Sequence, residues 1–368
     1  MRRLAVAPEI AVDTEGDSLH HYPARLALVQ VAEPSGEVTL VDPLAVDLAP
    51  LGRVFADPGV VLVLHAGDND LAEFKARYGF TFASVFDTAI AARFLGVRTL
   101  GLDALLTSWL GVLLPPSRQK DDWSARPLSP EQETYAAADV QHLFALRARL
   151  TEELVGRGRL AWVEEECAAL AAQPPPDRSP DPNAFLRVKG ARDLPPRILA
   201  ILRELHETRE RLARAADRPP FKVLGDEALL RIALTMPGDL EQLGGVPGCT
   251  PRVVGRWGGA LLDAIARGRA LPESSLPVRD RPRRPAGSAA LARRSELLKR
   301  WRTQAAERYD LDPGALLPNR LIAQLAETAP RTRAALEGVE GLRRWRVETF
   351  GHELLAVLES AHSPSRGG

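Results

Sequence analysis

Cysteine is scarce in this chain, with two residues among 368. Cys167 and Cys249 lie far apart, so they provide neither a disulfide framework nor the paired spacing of a zinc site. Long hydrophobic runs are also missing, because no apolar stretch approaches the roughly 18 residues that a membrane helix needs. The apolar start of the chain is broken at Pro8 and Glu9, too early for the core of a signal peptide. We therefore expect a cytoplasmic protein that does not enter a membrane.

A net charge is missing as well, because 48 basic and 48 acidic side chains cancel. The balance hides an asymmetry: residues 1–150 carry 13 basic and 19 acidic side chains, whereas residues 151–368 carry 35 and 29. The hydrophobic share of 45% and the charged share of 26% are ordinary for globular proteins, which excludes collagen, coiled-coil and wholly disordered chains. An acidic half followed by a basic half favours a carboxylate-bearing site beside a surface that contacts phosphates.

The first half of the chain mixes short apolar segments with helical patterns. Segments rich in β-branched residues predict strands at 9–13, 25–31, 37–41 and 60–64. Helical patterns follow at 71–79, 87–95, 101–110 and, as one long helix, 131–154. Residues 111–130 are rich in proline and charge and predict an ordered loop or a lid. This order predicts an α/β domain over residues 1–168.

Proline-rich segments divide the second half of the chain. Stacked prolines cannot continue a helix, so residues 173–190 are a predicted linker, as are residues 272–288, which also carry arginines. Helical patterns predict two all-α bundles at 191–271 and 289–362, followed by a tail at 363–368.

The two predicted bundles are copies of each other. Matched residues pair at one constant offset, among them Leu224 with Leu317, Gly248 with Gly341, and Leu261 with Leu354. A constant offset over some 40 residues, with glycines and leucines matched, indicates an internal repeat of one small helical unit.

Three short segments hold the acidic residues that suggest chemistry. Asp13 and Glu15 end a predicted strand, where side chains two positions apart point to the same face. Asp70 lies between a strand end and a helix start. Tyr135 and Asp139 lie four positions apart in a predicted helix and therefore share a face.

Carboxylates that are brought together repel one another and stay ionised only when cations neutralise them. Hard divalent cations such as Mg²⁺ or Mn²⁺ prefer oxygen ligands, and a pair of them can activate water at a phosphodiester. Each segment alone also has an ordinary interpretation, such as a solvated pair at a strand end, or Asp70 capping its helix together with Glu73. Their combination beside a basic module favours a metal-dependent phosphodiesterase site.

Four stretches of this sequence resemble the ribonuclease D family, the tyrosine-type branch of the Asp-Glu-Asp-Asp 3′–5′ exonucleases. These stretches are VDTE…YPARLALVQV, LHAGDNDLAEF, FDTAIAARFLG and DDWSARPLSPEQETYAAADVQHL. The internal repeat resembles two HRDC domains (helicase and ribonuclease D C-terminal). The resemblance covers nearly the whole chain. It implies a ribonuclease-H-like α/β exonuclease domain with a mixed sheet, followed by two all-α HRDC bundles.

The resemblance also implies the ligands of two Mg²⁺ or Mn²⁺ ions, namely Asp13, Glu15, Asp70 and Asp139. Asp70 is preferred to Asp68 because the family's acid directly precedes the Leu of its helix. Tyr135 would be the further catalytic residue, and it would orient the attacking water rather than act as a strong base, since the unperturbed pKa of tyrosine is near 10.

The implied reaction is the hydrolysis of RNA from its 3′ end. Nucleoside 5′-monophosphates would be released from an RNA with a single-stranded 3′ end, and tRNA precursors are the implied substrate. Nothing in the sequence indicates a protein partner.

Six residues are predicted to contact the substrate: Arg118, Lys120, Trp123, Arg126, Arg283 and Arg284. Arg118 and Lys120 follow Pro115-Pro116, which lie where relatives often carry a basic residue, and they would replace that charge. Trp123 and Arg126 either shape the substrate channel or pack against the last helix of the domain.

The pair Arg283 and Arg284 belongs to a basic run. Residues 279–302 hold nine basic and two acidic side chains and join the two predicted bundles. A basic run that joins two domains predicts contact with phosphates at least as strongly as it predicts a solvated surface.

Two alternatives stay open from the sequence alone. One is a 3′–5′ DNA exonuclease in repair, which would use the same chemistry. It stays open because no residue of the sequence indicates a contact with a 2′-hydroxyl. A catalytically silent scaffold that binds nucleic acid is the other alternative, and the complete acidic set argues against it. Gly16 departs from the family pattern, in which an aromatic residue often follows the Glu, and this change would loosen contact with the terminal nucleotide.

Overall fold

The computed structural model describes residues 7–277 and 288–361. Its strands are β1 (Glu9–Gly16), β2 (Leu26–Ala32), β3 (Val38–Val41), β4 (Val61–Leu64) and β5 (Val85–Asp87). They form one mixed sheet in the order β3-β2-β1-β4-β5. The central strand β1 pairs antiparallel with β2 and parallel with β4. The mixed sheet followed by helical bundles confirms the predicted fold class.

Four of these strands coincide with predicted ones, whereas β5 was not predicted. The segment that contains it was interpreted as the start of a helix at residue 87. The strand has only three residues and passes directly into a helix, so it is too short to show an alternating pattern.

Helices accompany the sheet over residues 49–172. They are α1 (Ala49–Phe55), α2 (Asp68–Tyr78), α3 (Thr88–Phe94), α4 (Leu102–Leu110), α5 (Pro130–Gln141), α6 (Leu143–Gly156) and α7 (Leu160–Ala172). Gly79 ends α2 in the left-handed region, as predicted, with φ of 66°. Ser129 caps α5 in a capping box with Gln132, as its sequence signature predicted.

The single long helix predicted over 131–154 is wrong, because the chain breaks it at His142. That residue leaves helical geometry, with φ of −104° and ψ of 1°. The break lets α5 lie across β2 and β3 while α6 turns to pack against α3 and α4. The site described below depends on this change of direction, because α5 alone covers the end of β1.

The rest of the chain forms two helical bundles. The first contains α8 (Pro196–Ala216), α9 (Pro220–Val223), α10 (Asp226–Thr235), α11 (Leu240–Gly244) and α12 (Pro251–Ala270). The second contains α13 (Ser288–Tyr309), α14 (Pro313–Leu316), α15 (Asn319–Thr328), α16 (Arg333–Glu337) and α17 (Arg344–Ser360).

The internal repeat is visible in these helices, since α9, α10 and α12 each begin 93 residues before α14, α15 and α17. Even the turns match: Gly248 and Gly341 both have positive φ, at 96° and 80°. The tryptophans Trp257, Trp301 and Trp345 are all buried, so they pack the bundles and do not form a stacking surface.

The second bundle shares one hydrophobic core with the N-terminal domain. Trp162 on α7 stacks on Trp345 of α17, with ring centroids 4.5 Å apart. The carboxylate of Glu165 accepts hydrogen bonds from the backbone N–H groups of Arg344 and Trp345, at 2.6 and 2.9 Å. These contacts satisfy the first turn of α17, so the N-terminal domain caps a helix of the bundle.

The first bundle has its own core and meets the N-terminal domain through polar contacts. His21 lies in the loop between β1 and β2. Its Nδ1 is 2.7 Å from a carboxylate oxygen of Asp217, the residue that ends α8. The next residue, Tyr22, donates its hydroxyl to Glu210 and stacks under the guanidinium of Arg214. The two bundles are therefore attached to the N-terminal domain by different kinds of interface.

The first predicted linker is partly packed. Residues Ala184–Arg187 and Ala191–Asp193 form short 3₁₀ helices, and Phe185 and Val188 are buried in the core of the first bundle. In the part of the chain that the structure describes, no helix is long and apolar enough to span a bilayer.

Candidate active site

A cleft of about 620 Å³ opens where β1 ends beneath α5. Its polar lining comes from β1, the start of α2, the loop before α5, and α5 itself. The lining includes Asp13, Thr14, Glu15, His65, Asn69, Asp70, Gln119, Tyr135 and Asp139.

Three carboxylates meet at the base of the cleft. Asp13 and Glu15 lie two positions apart on β1 and point to the same face of the sheet. Asp139 comes from α5, which approaches the sheet closely because the residue facing the strands is the small, fully buried Ala136. One carboxylate oxygen from each of the three lies within 4.8 Å of the others.

The fourth predicted carboxylate, Asp70, lines the same cleft beside that group. It lies in the first turn of α2, and its Oδ1 accepts a hydrogen bond from the Thr14 hydroxyl on β1. The alternative in which Asp70 caps its helix is wrong, because α2 begins at Asp68 and its N-cap is Gly67. Asp68 is exposed and does not line the cleft, so the structure separates the two competing aspartates.

The turn that carries Asp70 is held by Asp87. The Asp87 carboxylate accepts hydrogen bonds from the backbone N–H groups of Ala66 and Gly67. It also caps α3 by accepting from the N–H groups of Ala89 and Ile90. The bonds to residues 66 and 67 were not predicted from the sequence. Nothing in a local pattern signals them, because they join segments some 20 residues apart.

Burial disfavours the charged form of each of the four carboxylates, and repulsion from acidic neighbours adds to this effect at Asp13, Glu15 and Asp70. Burial, reinforced by its acidic neighbours, raises the pKa of Asp13 well above its ordinary value. The same causes raise the pKa of Glu15 to about 8, and burial raises that of Asp139 to about 7 and that of Asp70 to about 6.

These residues fit a divalent cation. The donor set consists of carboxylate oxygens, which hard cations such as Mg²⁺ and Mn²⁺ prefer. A cation among them would offset the repulsion and restore the ionised forms. The carboxylate cluster therefore has the chemistry and the proximity that a divalent-metal site requires.

Tyr135 lies one helical turn before Asp139 on the buried side of α5. Its ring leans on Trp123, with the two ring centroids 6.1 Å apart, and its side chain lines the cleft beside Asp139. Burial, followed by the charge of Asp139, raises the pKa of Tyr135 above its ordinary value. Tyr135 therefore contributes a neutral hydroxyl at the edge of the cluster of carboxylates.

Two of the predicted substrate contacts are packing residues in the structure. Trp123 is fully buried against Ala27, Leu28 and Tyr135. Arg126 donates to the carbonyl oxygens of residues 27, 123 and 125 and pairs with Asp42. Of the two interpretations given for these side chains, the contacts favour packing, because neither presents free polar groups to the cleft.

Arg118 and Lys120 lie in the loop before α5, on either side of a residue that lines the cleft. Arg118 pairs with Asp121 at 3.6 Å, and Lys120 is exposed on the same loop. Between them, Gln119 lines the cleft, which the sequence did not signal. Arg283 and Arg284 lie outside the described residues.

His65 makes the contacts of a structural histidine. Its Nδ1 lies 2.8 Å from the hydroxyl of Thr88, which in turn donates to the carbonyl of Leu64. Burial lowers the pKa of His65, so its imidazole is neutral. It also forms part of the cleft wall, which the sequence reasoning missed.

Comparison with known proteins agrees with this geometry. Residues 1–155 match the family model of 3′–5′ exonucleases, and residues 198–265 and 292–358 each match the HRDC domain. A ribonuclease D of Gluconacetobacter diazotrophicus is 36% identical over 98% of this chain and 90% of its own length. The chain belongs to the ribonuclease D family.

Other members of the ribonuclease D family and related structures support the same assignment. A ribonuclease D of Pseudomonas paraeruginosa is 35% identical over 98% of this chain and 94% of its own length. Escherichia coli RNase D, described as an exoribonuclease involved in structured RNA processing, is 29% identical, with a TM-score of 0.70 over 98% of this chain and 95% of that one.

The catalytic core of RRP6 from Trypanosoma brucei is 26% identical, with a TM-score of 0.65 over 73% of this chain and 77% of that one. As a member of the ribonuclease D family, the chain is a 3′–5′ exoribonuclease, as the sequence predicted.

Proposed function

We propose that this exoribonuclease hydrolyses the last phosphodiester of an RNA and releases nucleoside 5′-monophosphates. Two divalent cations, Mg²⁺ or Mn²⁺, would be held by Asp13, Glu15, Asp70 and Asp139. The observation that carries the proposal is the meeting of Asp13, Glu15 and Asp139 within 4.8 Å, in surroundings that raise the pKa of each.

When bound, such ions supply an activated water and stabilise the leaving oxygen of the scissile phosphodiester. Tyr135 holds the attacking water through its hydroxyl, because its side chain lines the cleft beside the carboxylates. Its raised pKa makes it a poor base, so it orients the water rather than taking its proton. The water oxygen bonds to phosphorus and its proton passes to solvent. The bond from phosphorus to the 3′ oxygen breaks, and that oxygen takes up a proton from solvent, so the shortened RNA keeps a 3′-hydroxyl.

The substrate we propose is an RNA with a single-stranded 3′ end, with tRNA precursors as the natural example. The related E. coli enzyme is described as processing structured RNA, which supports this class. The half-buried Arg118 and the exposed Lys120, in the loop before α5, would contact the backbone phosphates. Arg283 and Arg284 remain proposed contacts on the basic run that joins the bundles.

The test is the trimming of a 5′-labelled RNA with a 3′ extension by Asp13→Asn and Asp139→Asn variants. Loss of a group that stabilises developing charge typically lowers the rate by about 10²–10³-fold, and we expect at least that loss. Asp68→Asn is the matched control, because it makes the same chemical change at an exposed position outside the cleft.

Near wild-type trimming by either cleft variant would reject the proposed ligands, as would an equal loss in Asp68→Asn. A DNA oligomer of the same sequence, run in parallel, measures the preference for RNA. Faster hydrolysis of the DNA strand would replace the proposed substrate class.

A further inference from the structure

Gln30 on β2 is a buried side chain whose amide is unpartnered. It is fully buried, and among the described residues neither its Oε1 nor its Nε2 has a hydrogen-bond partner. An unsatisfied buried polar group costs about 1–3 kcal/mol. Its neighbours on the same strand are apolar, so a leucine would fit the local pattern at a lower energetic cost.

The position of Gln30 indicates what its amide can reach. In the antiparallel pairing of β1 and β2 it lies directly opposite Asp13. Residues opposite each other on such strands have side chains on the same face, with Cβ atoms about 4.5–5.5 Å apart. Gln30 therefore points to the face of the sheet that carries the cluster of carboxylates.

The nearest positions of β2 and β3 on this face are apolar. Leu40 lies opposite Gln30 on β3, and Leu28 and Ala32 lie two positions away along β2. The helix α5 covers the face, but Gln132 is engaged in the capping box of that helix. Among the nearest same-face positions of β1, β2 and β3, Asp13 is the polar one.

An amide suits this position for a chemical reason. It can donate through its nitrogen to a carboxylate and accept through its oxygen from a carboxylic acid, and it carries no charge. An arginine or lysine there would compete with a cation for the carboxylates, and a glutamate would add another negative charge. Glutamine provides a hydrogen-bond donor without either effect.

We propose that Gln30 is a positioning residue for the metal site, whose Nε2 donates a hydrogen bond to the Asp13 carboxylate when a divalent cation is bound. The inference rests on the proposed function, because it needs Asp13 to act as a ligand. A partner of this kind fixes the orientation of a ligating carboxylate and typically changes metal affinity by about 10- to 100-fold.

The test compares Gln30→Met with Leu40→Met. Methionine is close to glutamine in length and lacks the amide, and Leu40→Met changes packing at the neighbouring strand position without removing a polar group. Mn²⁺ binding is measured by titration calorimetry, and the melting temperature is measured in excess chelator. We expect Gln30→Met to be at least as stable as wild type without metal, to bind Mn²⁺ at least about tenfold more weakly, and Leu40→Met to bind like wild type.

Kinetics with labelled RNA provide a second readout. A misplaced Asp13 should lower kcat and leave KM for RNA nearly unchanged, because Gln30 does not reach the surface that contacts RNA. Raising the Mn²⁺ concentration should recover part of the lost kcat in Gln30→Met.

Unchanged Mn²⁺ affinity in Gln30→Met, with wild type binding normally, would overturn the inference and leave the proposed function standing. A less stable metal-free protein with unchanged affinity would assign Gln30 to packing and would also overturn it. If the methionine variant does not fold, Gln30→Leu is judged by the same criteria. Failure of the wild-type protein to bind Mn²⁺ would instead remove the proposed function, and the inference with it.

Discussion

Replacing Asp139 by asparagine keeps the shape of the side chain and removes one negative charge from the cleft. In the metal-free protein this charge is unfavourable, because burial raises the pKa of Asp139 from 3.8 to about 7. One pKa unit corresponds to about 1.4 kcal/mol. Keeping Asp139 ionised in the folded protein therefore costs about 4 kcal/mol.

The sign of the pH dependence follows from linkage. The folded-state pKa lies above the unfolded value, so Asp139 lowers the free energy of unfolding as pH rises from about 4 towards about 7, and the loss is complete above that range. The asparagine variant does not have this loss.

We therefore expect metal-free Asp139→Asn to be more stable than wild type by up to about 4 kcal/mol at pH 8 and no more stable at pH 4. The measurement is urea unfolding in excess chelator across this range. Mn²⁺ at 100 times its Kd should narrow the difference by about 2.7 kcal/mol, because the variant has lost a ligand. A difference between the two proteins that does not change with pH would refute the electrostatic reasoning.

The remaining predictions concern the two bundle interfaces. Trp162→Ala removes the ring that stacks on Trp345 and should lower the free energy of unfolding by about 3 kcal/mol in chemical denaturation; a change below about 1 kcal/mol would contradict a shared core. His21 has a raised pKa, mainly through its hydrogen bond to Asp217, with Asp17 adding to the shift and Arg25 opposing it. The contact between His21 and Asp217, which Asp122 also faces, is therefore strongest below pH about 6.5. It is lost as the pH rises through the folded-state pKa of His21. The radius of gyration of the protein, measured by X-ray scattering, should therefore increase between pH 6 and 8.5. His21→Ala should remove that change, and a variant that still expands with pH would point to another group.

Residues whose roles depend on short spacing could be predicted from the sequence. The alternation of a strand places Asp13 and Glu15 together, and one helical turn places Tyr135 with Asp139, and both relations hold in the structure. The repeat could be predicted too, because the same turns and helix starts recur at one offset.

Features that depend on packing between distant segments could not be predicted. The break at His142 follows from the two helices packing on different partners, and the helical pattern of the sequence continues through it. The burial of Trp123 and the engagement of Arg126 depend on β2 and on Asp42, far away in the chain. Gln30 falls within a predicted strand, and no local pattern relates it to Asp13, which lies opposite it only in the folded sheet.

The shared core also bears on how the chain is made. Glu165 and Trp345, which meet across that core, lie 180 positions apart. During synthesis the catalytic domain leaves the ribosome long before the helices that cover its apolar side, so that side stays exposed until the second bundle has been made. A premature stop codon after the first bundle would leave every carboxylate of the cleft in the chain and still yield an aggregation-prone protein.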